Sequence, residues 1–182
     1  MNLSKPAVSV DIQIATEEDD HPPPSSIEQW IAITIDAASK TTHNTNTVTN
    51  INKRETELSL RIVDEEEITD LNNQYRGKNT STNVLSFPAD IPTHIDIQLL
   101  GDIVICSQVV EREAQDQCKK KSSHWAHMIV HGTLHLLGYD HISDDEAEIM
   151  EGLEIDILNQ FGIENPYLIN ASLEKNKTTI HL

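Results

Sequence analysis

The segment from Ser123 to Leu137 most constrains the fold, because it is apolar on nearly every side of a helix. Such a helix must be buried at the centre of a domain. Four histidines interrupt the apolar residues: His124, His127, His131 and His135. At about 100° per residue they form one stripe along the helix surface. The sequence therefore predicts a central buried helix that carries a histidine face.

The turn that follows this helix can supply a third ligand for a metal ion. His131 and His135 lie on one helix face, about 6 Å apart along the axis. Gly138 can adopt the left-handed conformation that ends a helix, so that His141 returns toward the other two histidines. Three converging imidazoles favour one zinc ion with an open fourth position. Such an ion activates water for hydrolysis near neutral pH.

The same spacing occurs in the metzincin zinc proteases, whose pattern is H-E-x-x-H-x-x-G-x-x-H. Here Gly132 replaces the glutamate that is the general base of those proteases. The ligands fit a zinc hydrolase, but proteolysis by that mechanism lacks its proton carrier. Glycine inside a helix costs about 1 kcal/mol relative to alanine. Either a close approach of substrate or backbone at the metal, or simple helix packing, can explain it.

Three further polar residues lie beside the predicted ligands in the sequence, and their expected roles differ. His127 is expected to pack next to the ligands or to support one of them. His124, near the start of the helix, is expected to be exposed to solvent. Asp140 either supports the ligands or accepts a hydrogen bond from its own backbone in the turn. None of them is identified as the proton carrier.

Strands alternate with helices in the rest of the chain, which predicts an α/β (α+β) fold in a single domain of residues 1–182. We expect a small mixed sheet of about four strands, with helices packed on it and the metal helix at the centre. The predicted strands lie near residues 7–14, 57–64, 83–87 and 99–106, and the predicted helices near 27–38, 65–75, 108–120 and 143–161. The Thr/Asn-rich stretch 41–52 is expected to be a flexible surface loop.

The last predicted helix begins with a capping box, in which Ser143 precedes Glu146 by three residues. Its apolar spacing is that of an amphipathic helix. The residues expected to face the core are Ile149, Leu153, Ile157 and Phe161.

The net charge of −17 argues against broad attraction to nucleic acid or to acidic membranes. A polyanion would therefore need a local basic patch, for which Arg61, Arg76, Lys78 and the lysines at 119–121 are candidates. Arg61 is either an edge residue in water or a guanidinium aimed into a cleft, where it can bind phosphate through two hydrogen bonds. The lysine run either contacts RNA or is favoured by the dipole at a helix C-terminus.

The composition also bears on location. No apolar run approaches the roughly 20 residues that a membrane span requires. The N-terminus lacks the apolar core of a secretory signal. The two cysteines, Cys106 and Cys118, are separated and form no C-x-x-C pattern. We therefore expect a cytoplasmic protein with reduced thiols and no membrane partner.

Several further motifs surround the histidine segment in a fixed order. They are YRGK at 75–78, TNVLSFP at 82–88, GDIVI at 101–105, HWAHM at 124–128 and DDEAE at 144–148. Together with HGTLHLLGYDH at 131–141, they resemble the bacterial YbeY family over roughly residues 58–167. The sequence differs from the family at Ser81, where proline is frequent, and at Asn83, where aspartate is frequent.

This resemblance implies a zinc-dependent, single-strand-specific endoribonuclease that matures the 3′ end of 16S rRNA and acts in ribosome quality control. It implies single-stranded RNA, rRNA and small-subunit components as partners, and no DNA. By position it implies that His131, His135 and His141 are the metal ligands. It also implies that Arg61 is important for activity.

The chemistry expected is metal-assisted phosphodiester hydrolysis. Arg61 would stabilise charge in the transition state, while Arg76 and Lys78 would bind the RNA backbone. The nucleophile is either water or the 2′-hydroxyl of the RNA. Two other functions remain open: a different zinc hydrolase, such as a peptidase or amidase, and a non-catalytic ribosome-assembly factor with a structural metal.

Overall fold

A computed structural model describes residues 8–41, 56–91 and 98–168 of the chain. These ranges contain four strands and five helices. The strands are β1 (Val8–Ala15), β2 (Thr56–Val63), β3 (Val84–Pro88) and β4 (Leu99–Cys106). The helices are α1 (Pro24–Ser39), α2 (Glu65–Arg76), α3 (Ser107–Asp116), α4 (Lys121–Leu136) and α5 (Asp144–Asn159). Apart from residue 41, the predicted loop at 41–52 lies outside the described residues.

The strands form one mixed sheet in the order β1-β2-β4-β3. β1 pairs parallel to β2, and β2 pairs parallel to β4, whereas β3 runs antiparallel to β4. The parallel connection from β1 to β2 contains α1, as such crossovers require. The predicted α/β class with a small mixed sheet is confirmed.

The two faces of the sheet are covered by different helices. Side chains alternate along a strand, so Leu60 and Ile62 of β2 face one side while Val63 faces the other. The first side packs with α1, α4 and α5 in the larger core. The second packs against Ile68 of α2 and Val109 of α3. Each face therefore has its own apolar core.

Helix α4 lies at the centre of the larger core, where it contacts β3 and β4 of the sheet and the helices α1, α3 and α5. Trp125, Ile129 and Leu134 are almost completely buried there. This confirms the prediction of a central buried helix. No helix in residues 8–41, 56–91 and 98–168 has both the length and the apolar character needed to cross a membrane.

The predicted C-terminal end of α3 was wrong. The helix predicted at 108–120 ends at Asp116, because Cys118 has a φ of +53°, which no α-helix accommodates. Lys121 consequently lies in the first turn of α4 rather than at a helix C-terminus, so the dipole explanation fails for this residue. In α5 the capping box of Ser143 and Glu146 is confirmed.

The core-facing stripe of α5 includes Ile157, as predicted, but is otherwise shifted by one residue from the predicted stripe. Its fully buried residues are Met150, Glu154, Ile157 and Leu158. Ile149, Leu153 and Phe161 are only partly buried against the core. The shift places a carboxylate, rather than a leucine, at the centre of the buried face.

Candidate metal centre

The end of α4 is shaped to return the chain toward its own histidines. Gly138 has a φ of +88°, the left-handed conformation that glycine adopts most readily. The N–H of Gly138 donates to the carbonyl of His135 at 3.0 Å, and that of Tyr139 donates to Leu134 at 3.0 Å. Asp140 Oδ1 then accepts the N–H of His141 at 2.8 Å. The predicted reversal at Gly138 is confirmed, and Asp140 stabilises the turn that follows it.

This turn brings three imidazoles together. The ring centroids of His131 and His135 are 4.6 Å apart, and those of His141 lie 5.5 Å and 5.1 Å from them, respectively. One ring nitrogen of each lies within 4.8 Å of the others. The Nε2 atoms of His131 and His135 are 3.0 Å apart. Ligand nitrogens around tetrahedral zinc are separated by about 3.3 Å, so the arrangement fits the ion after small adjustments.

The protonation state of His135 suits a metal ligand. Burial, followed by the neighbouring His131 and His141, lowers the pKa of His135 to about 4. The imidazole is therefore neutral near pH 7 and has a nitrogen lone pair to donate. This donor set of three imidazole nitrogens matches the chemistry of zinc.

Glu154 of α5 supports the cluster from behind, and the sequence analysis did not identify it. Its Oε1 accepts a hydrogen bond from His131 Nδ1 at 2.7 Å, and its Oε2 lies 3.3 Å from His127 Nε2. Metal-binding histidines usually donate their second ring N–H to such a carboxylate. His127 was expected to pack next to the ligands or to support one of them. Its hydrogen-bond contact is with Glu154 and not with a ligand. The available signal was a glutamate within the apolar stripe of α5.

A cleft of about 640 Å³ opens over the three histidines. Arg76 and Lys78 line it, as predicted, and Asp140 supplies the carboxylate among its lining residues. Arg76 Nη2 donates to the carbonyl of Ser86 in β3 at 3.3 Å, which holds the guanidinium beside the sheet. The cleft therefore combines a candidate metal site with two cations that can bind phosphate.

Arg61 does not join this cleft. Its Nε donates to Glu67 of α2 at 2.7 Å, and its Nη1 donates to Gln13 of β1 at 3.1 Å. These contacts lie on the α2 face of the sheet, opposite α4. The structure therefore does not support direct contact between Arg61 and a phosphate at the histidines. The alternation of β2 explains the difference, since Leu60 and Ile62 occupy the face toward α4.

His124 differs from its prediction as well. It is buried rather than exposed, and its Nε2 lies 2.8 Å from a carboxylate oxygen of Glu113. Glu113 also accepts from Asn83, so α3, α4 and the start of β3 are joined at this point. This contact explains how the polar side chain of His124 can be buried near the start of α4.

The lysine run lies away from the histidine cleft. Lys121 pairs with Asp20 at 2.6 Å, and Lys119 donates to the carbonyl of Pro166 at 2.6 Å. Neither residue lines the cleft. The described contacts therefore favour structural roles for these two lysines over contact with RNA in the cleft.

Gly132 allows α4 to pack closely on the sheet. A Cβ at this position would lie 3.1 Å from Ile103 and 3.2 Å from Ser86. Ser86 Oγ donates to the carbonyl of Gly132 at 3.0 Å. Of the two explanations offered by the sequence, helix packing is the one that the structure supports.

Comparison with known proteins agrees with this geometry. A family model described as Endoribonuclease YbeY matches residues 13–162. The chain belongs to the YbeY endoribonuclease family. YbeY proteins are metal-dependent hydrolases that act in rRNA processing, and the chain is an enzyme of this class whose substrate is RNA. A solved structure, the solution structure of TM1509 from Thermotoga maritima, is similar with a TM-score of 0.48 and 23% identity, over 83% of this chain and 91% of that chain.

Proposed function

We propose that the protein is a zinc-dependent, single-strand-specific endoribonuclease that matures the 3′ end of 16S rRNA. One observation carries this proposal: ring nitrogens of His131, His135 and His141 converge within 4.8 Å in a cleft that Arg76 and Lys78 also line. One zinc ion per chain would be held by these histidines. Zinc supplies Lewis acidity and activates water near neutral pH.

The residues around the cluster have separate tasks in this proposal. Arg76 and Lys78 bind the phosphates on either side of the scissile bond and set the register of the strand. Asp140 accepts a hydrogen bond from the backbone N–H of His141, which holds that ligand in place. Glu154 keeps the proton of His131 on Nδ1, so that Nε2 faces His135 and the ion. Arg61 pairs with Glu67 on the opposite face of the sheet, so this proposal assigns it no direct contact with the substrate.

The size of the cleft supports single-strand specificity. A volume of about 640 Å³ is typical of a pocket for a small ligand, and it holds one or two nucleotides of a strand. Unstacked bases of a single strand can enter such a site, whereas the bases of an A-form duplex remain paired and stacked. The net charge of −17 agrees with this picture, because RNA would be attracted only near the cations of the cleft.

Action on 16S rRNA, association with small-subunit components, a part in ribosome quality control and a cytoplasmic location complete the proposal. They are supported by the resemblance of the sequence motifs to the family. Small-subunit particles that retain a 3′ extension are the substrate to use. Mapping the RNA ends after incubation should show shortening to the mature 3′ end, and uncut particles with bound protein would favour the assembly-factor alternative.

The first experiment is cleavage of a short single-stranded RNA, with its duplex, a chelator and the variant His135→Ala in parallel. His21→Ala is the matched control, because His21 lies in a loop outside the cleft. Cleavage should require the single strand and the metal, disappear in His135→Ala and persist in His21→Ala. Cleavage that survives in His135→Ala would refute the proposed site.

The chemical route is read from the ends of the products. A 5′-phosphate with a 3′-hydroxyl, or the reverse without a cyclic intermediate, indicates attack by water. A 2′,3′-cyclic phosphate indicates attack by the 2′-hydroxyl of the RNA. Casein turnover measured in the same preparation tests the peptidase alternative, for which no cleavage is expected.

A further inference from the structure

Among the described residues, the carboxylate of Glu154 has three hydrogen-bond donors, and one of these three belongs to a proposed metal ligand. Besides His131, the carboxylate oxygen Oε2 lies 3.3 Å from His127 Nε2 and accepts the hydroxyl of Tyr167. Glu154 is completely buried. A buried ionised carboxylate costs several kcal/mol unless such donors compensate for its lost hydration. The donors therefore determine how this carboxylate is held.

The protonation states of the partners define the direction of each hydrogen bond. Burial, and next the hydrogen bond to Glu154, raise the pKa of Tyr167, so its hydroxyl stays protonated and donates. Because a carboxylate only accepts, the 3.3 Å contact with Glu154 places a ring proton of His127 on Nε2. Both groups thus donate to the same oxygen of Glu154.

Tyr167 and His127 act away from the substrate. Tyr167 follows Glu154 by 13 residues, after the end of α5, and its ring stands edge-on to that of His127 with centroids 5.5 Å apart. Neither residue lines the cleft over the histidines. Tyr167 contacts the carboxylate of Glu154, whereas His127 contacts Glu154 and also stands edge-on to His131, with ring centroids 6.3 Å apart.

We propose that Tyr167 and His127 are positioning residues for the metal centre. By donating to one carboxylate oxygen, they orient Glu154 so that the other oxygen keeps His131 protonated on Nδ1 and presents Nε2 to the ion. The inference rests on the proposed function, in which His131 is a ligand. Direct hydrogen-bond partners of metal ligands, as Glu154 is of His131, typically contribute about 10-fold to 100-fold to metal affinity, and residues that hold such a partner are expected at the lower end of this range.

The first test is the variant Tyr167→Phe, which removes one oxygen and keeps the ring against His127. Tyr75→Phe is the matched control, because Tyr75 is exposed, packs on Phe87 and does not line the cleft. Zn²⁺ affinity of the full chain is measured by competition with a chromophoric chelator. Tyr167→Phe should weaken Zn²⁺ binding about 10-fold, while Tyr75→Phe leaves it unchanged. Equal affinity in both variants would overturn the proposal.

A pair of substitutions at His127 separates hydrogen bonding from packing. In His127→Gln the side-chain amide can still donate to Glu154, whereas His127→Leu fills the space without a donor. We expect Gln to retain Zn²⁺ affinity within a few-fold and Leu to lose about 10-fold or more. If the Leu variant binds as tightly as the Gln variant, His127 has only a packing role and the inference is wrong.

Two controls keep this inference distinct from the proposed function. The melting temperature of each metal-free variant shows whether an altered affinity follows from loss of the fold. The absorption spectrum of bound Co²⁺ reports ligand geometry and should change in Tyr167→Phe but not in Tyr75→Phe. Failure of the wild-type chain to bind Zn²⁺, or unchanged binding in His135→Ala, would refute the proposed metal site itself. Normal wild-type binding with no effect at Tyr167 and His127 would refute only the positioning role.

Discussion

Glu154 gives the fold a pH-dependent stability that Glu154→Gln should remove. Burial alone would raise the pKa of this carboxyl, but hydrogen bonds from His127 and His131 outweigh burial and lower it from 4.5 to about 2. A carboxylate with a lowered pKa stabilises the folded state above its unfolded pKa, and this stabilisation is lost as the pH falls toward the folded pKa. The difference corresponds to roughly 3 kcal/mol at pH 7, of which roughly 1–2 kcal/mol is lost by pH 3.5.

Urea unfolding of the metal-free protein measures this contribution. The free energy of unfolding is determined at pH 7 and pH 3.5 for the wild type, for Glu154→Gln and for Glu148→Gln, whose glutamate is exposed on the same helix. The difference in unfolding free energy between wild type and Glu154→Gln should shrink by roughly 1–2 kcal/mol at pH 3.5. The difference in unfolding free energy between wild type and Glu148→Gln should stay nearly constant between the two pH values. A Glu154→Gln gap that is unchanged or larger in acid would show that the carboxylate is not held ionised as described.

Three other variants test neighbouring features. Gly138→Ala places a side chain at a φ of +88°, so it should cost about 1–2 kcal/mol in thermal unfolding and weaken Zn²⁺ binding by displacing His141. Gly132→Ala gains about 1 kcal/mol in helix propensity but crowds Ile103, so a net loss on the order of 1 kcal/mol is expected, and a more stable variant would contradict tight packing there. Arg61→Ala should leave Zn²⁺ affinity unchanged and cost less than about 1 kcal/mol, since its pair with Glu67 is partly exposed. A loss of RNA cleavage with normal Zn²⁺ binding would restore a direct catalytic role for Arg61.

The features that sequence reasoning found are those encoded by nearby residues. The apolar character of α4 follows from its own composition, and the convergence of the three histidines needs only one helical turn and the reversal at Gly138. Arg76 and Lys78 were candidates for binding the RNA backbone because they stand in a partly basic stretch, and the structure places both in the lining of the cleft. Each of these predictions depends on interactions within a few residues of the chain.

The features that it missed depend on which elements pack together. The alternation of β2 indicates that Arg61 and Leu60 face opposite sides, but not that α4 covers the side of Leu60. His124 is buried because α3 brings Glu113 against it. Glu154 contacts a histidine 23 residues earlier, across the interface of α4 and α5. A glutamate centred in the apolar stripe of α5 was the visible clue, and a one-residue error in that stripe concealed it.

The three proposed ligands lie within eleven consecutive residues, and this spacing affects how the metal would stabilise the fold. Closing so short a loop costs little chain entropy, so an unfolded chain keeps the three histidines close enough to capture an ion. A ligand that also binds the unfolded state shifts the folding equilibrium less than its affinity would suggest. Removing the metal should therefore abolish cleavage while the fold is retained, because the two apolar cores and not the ion stabilise the fold.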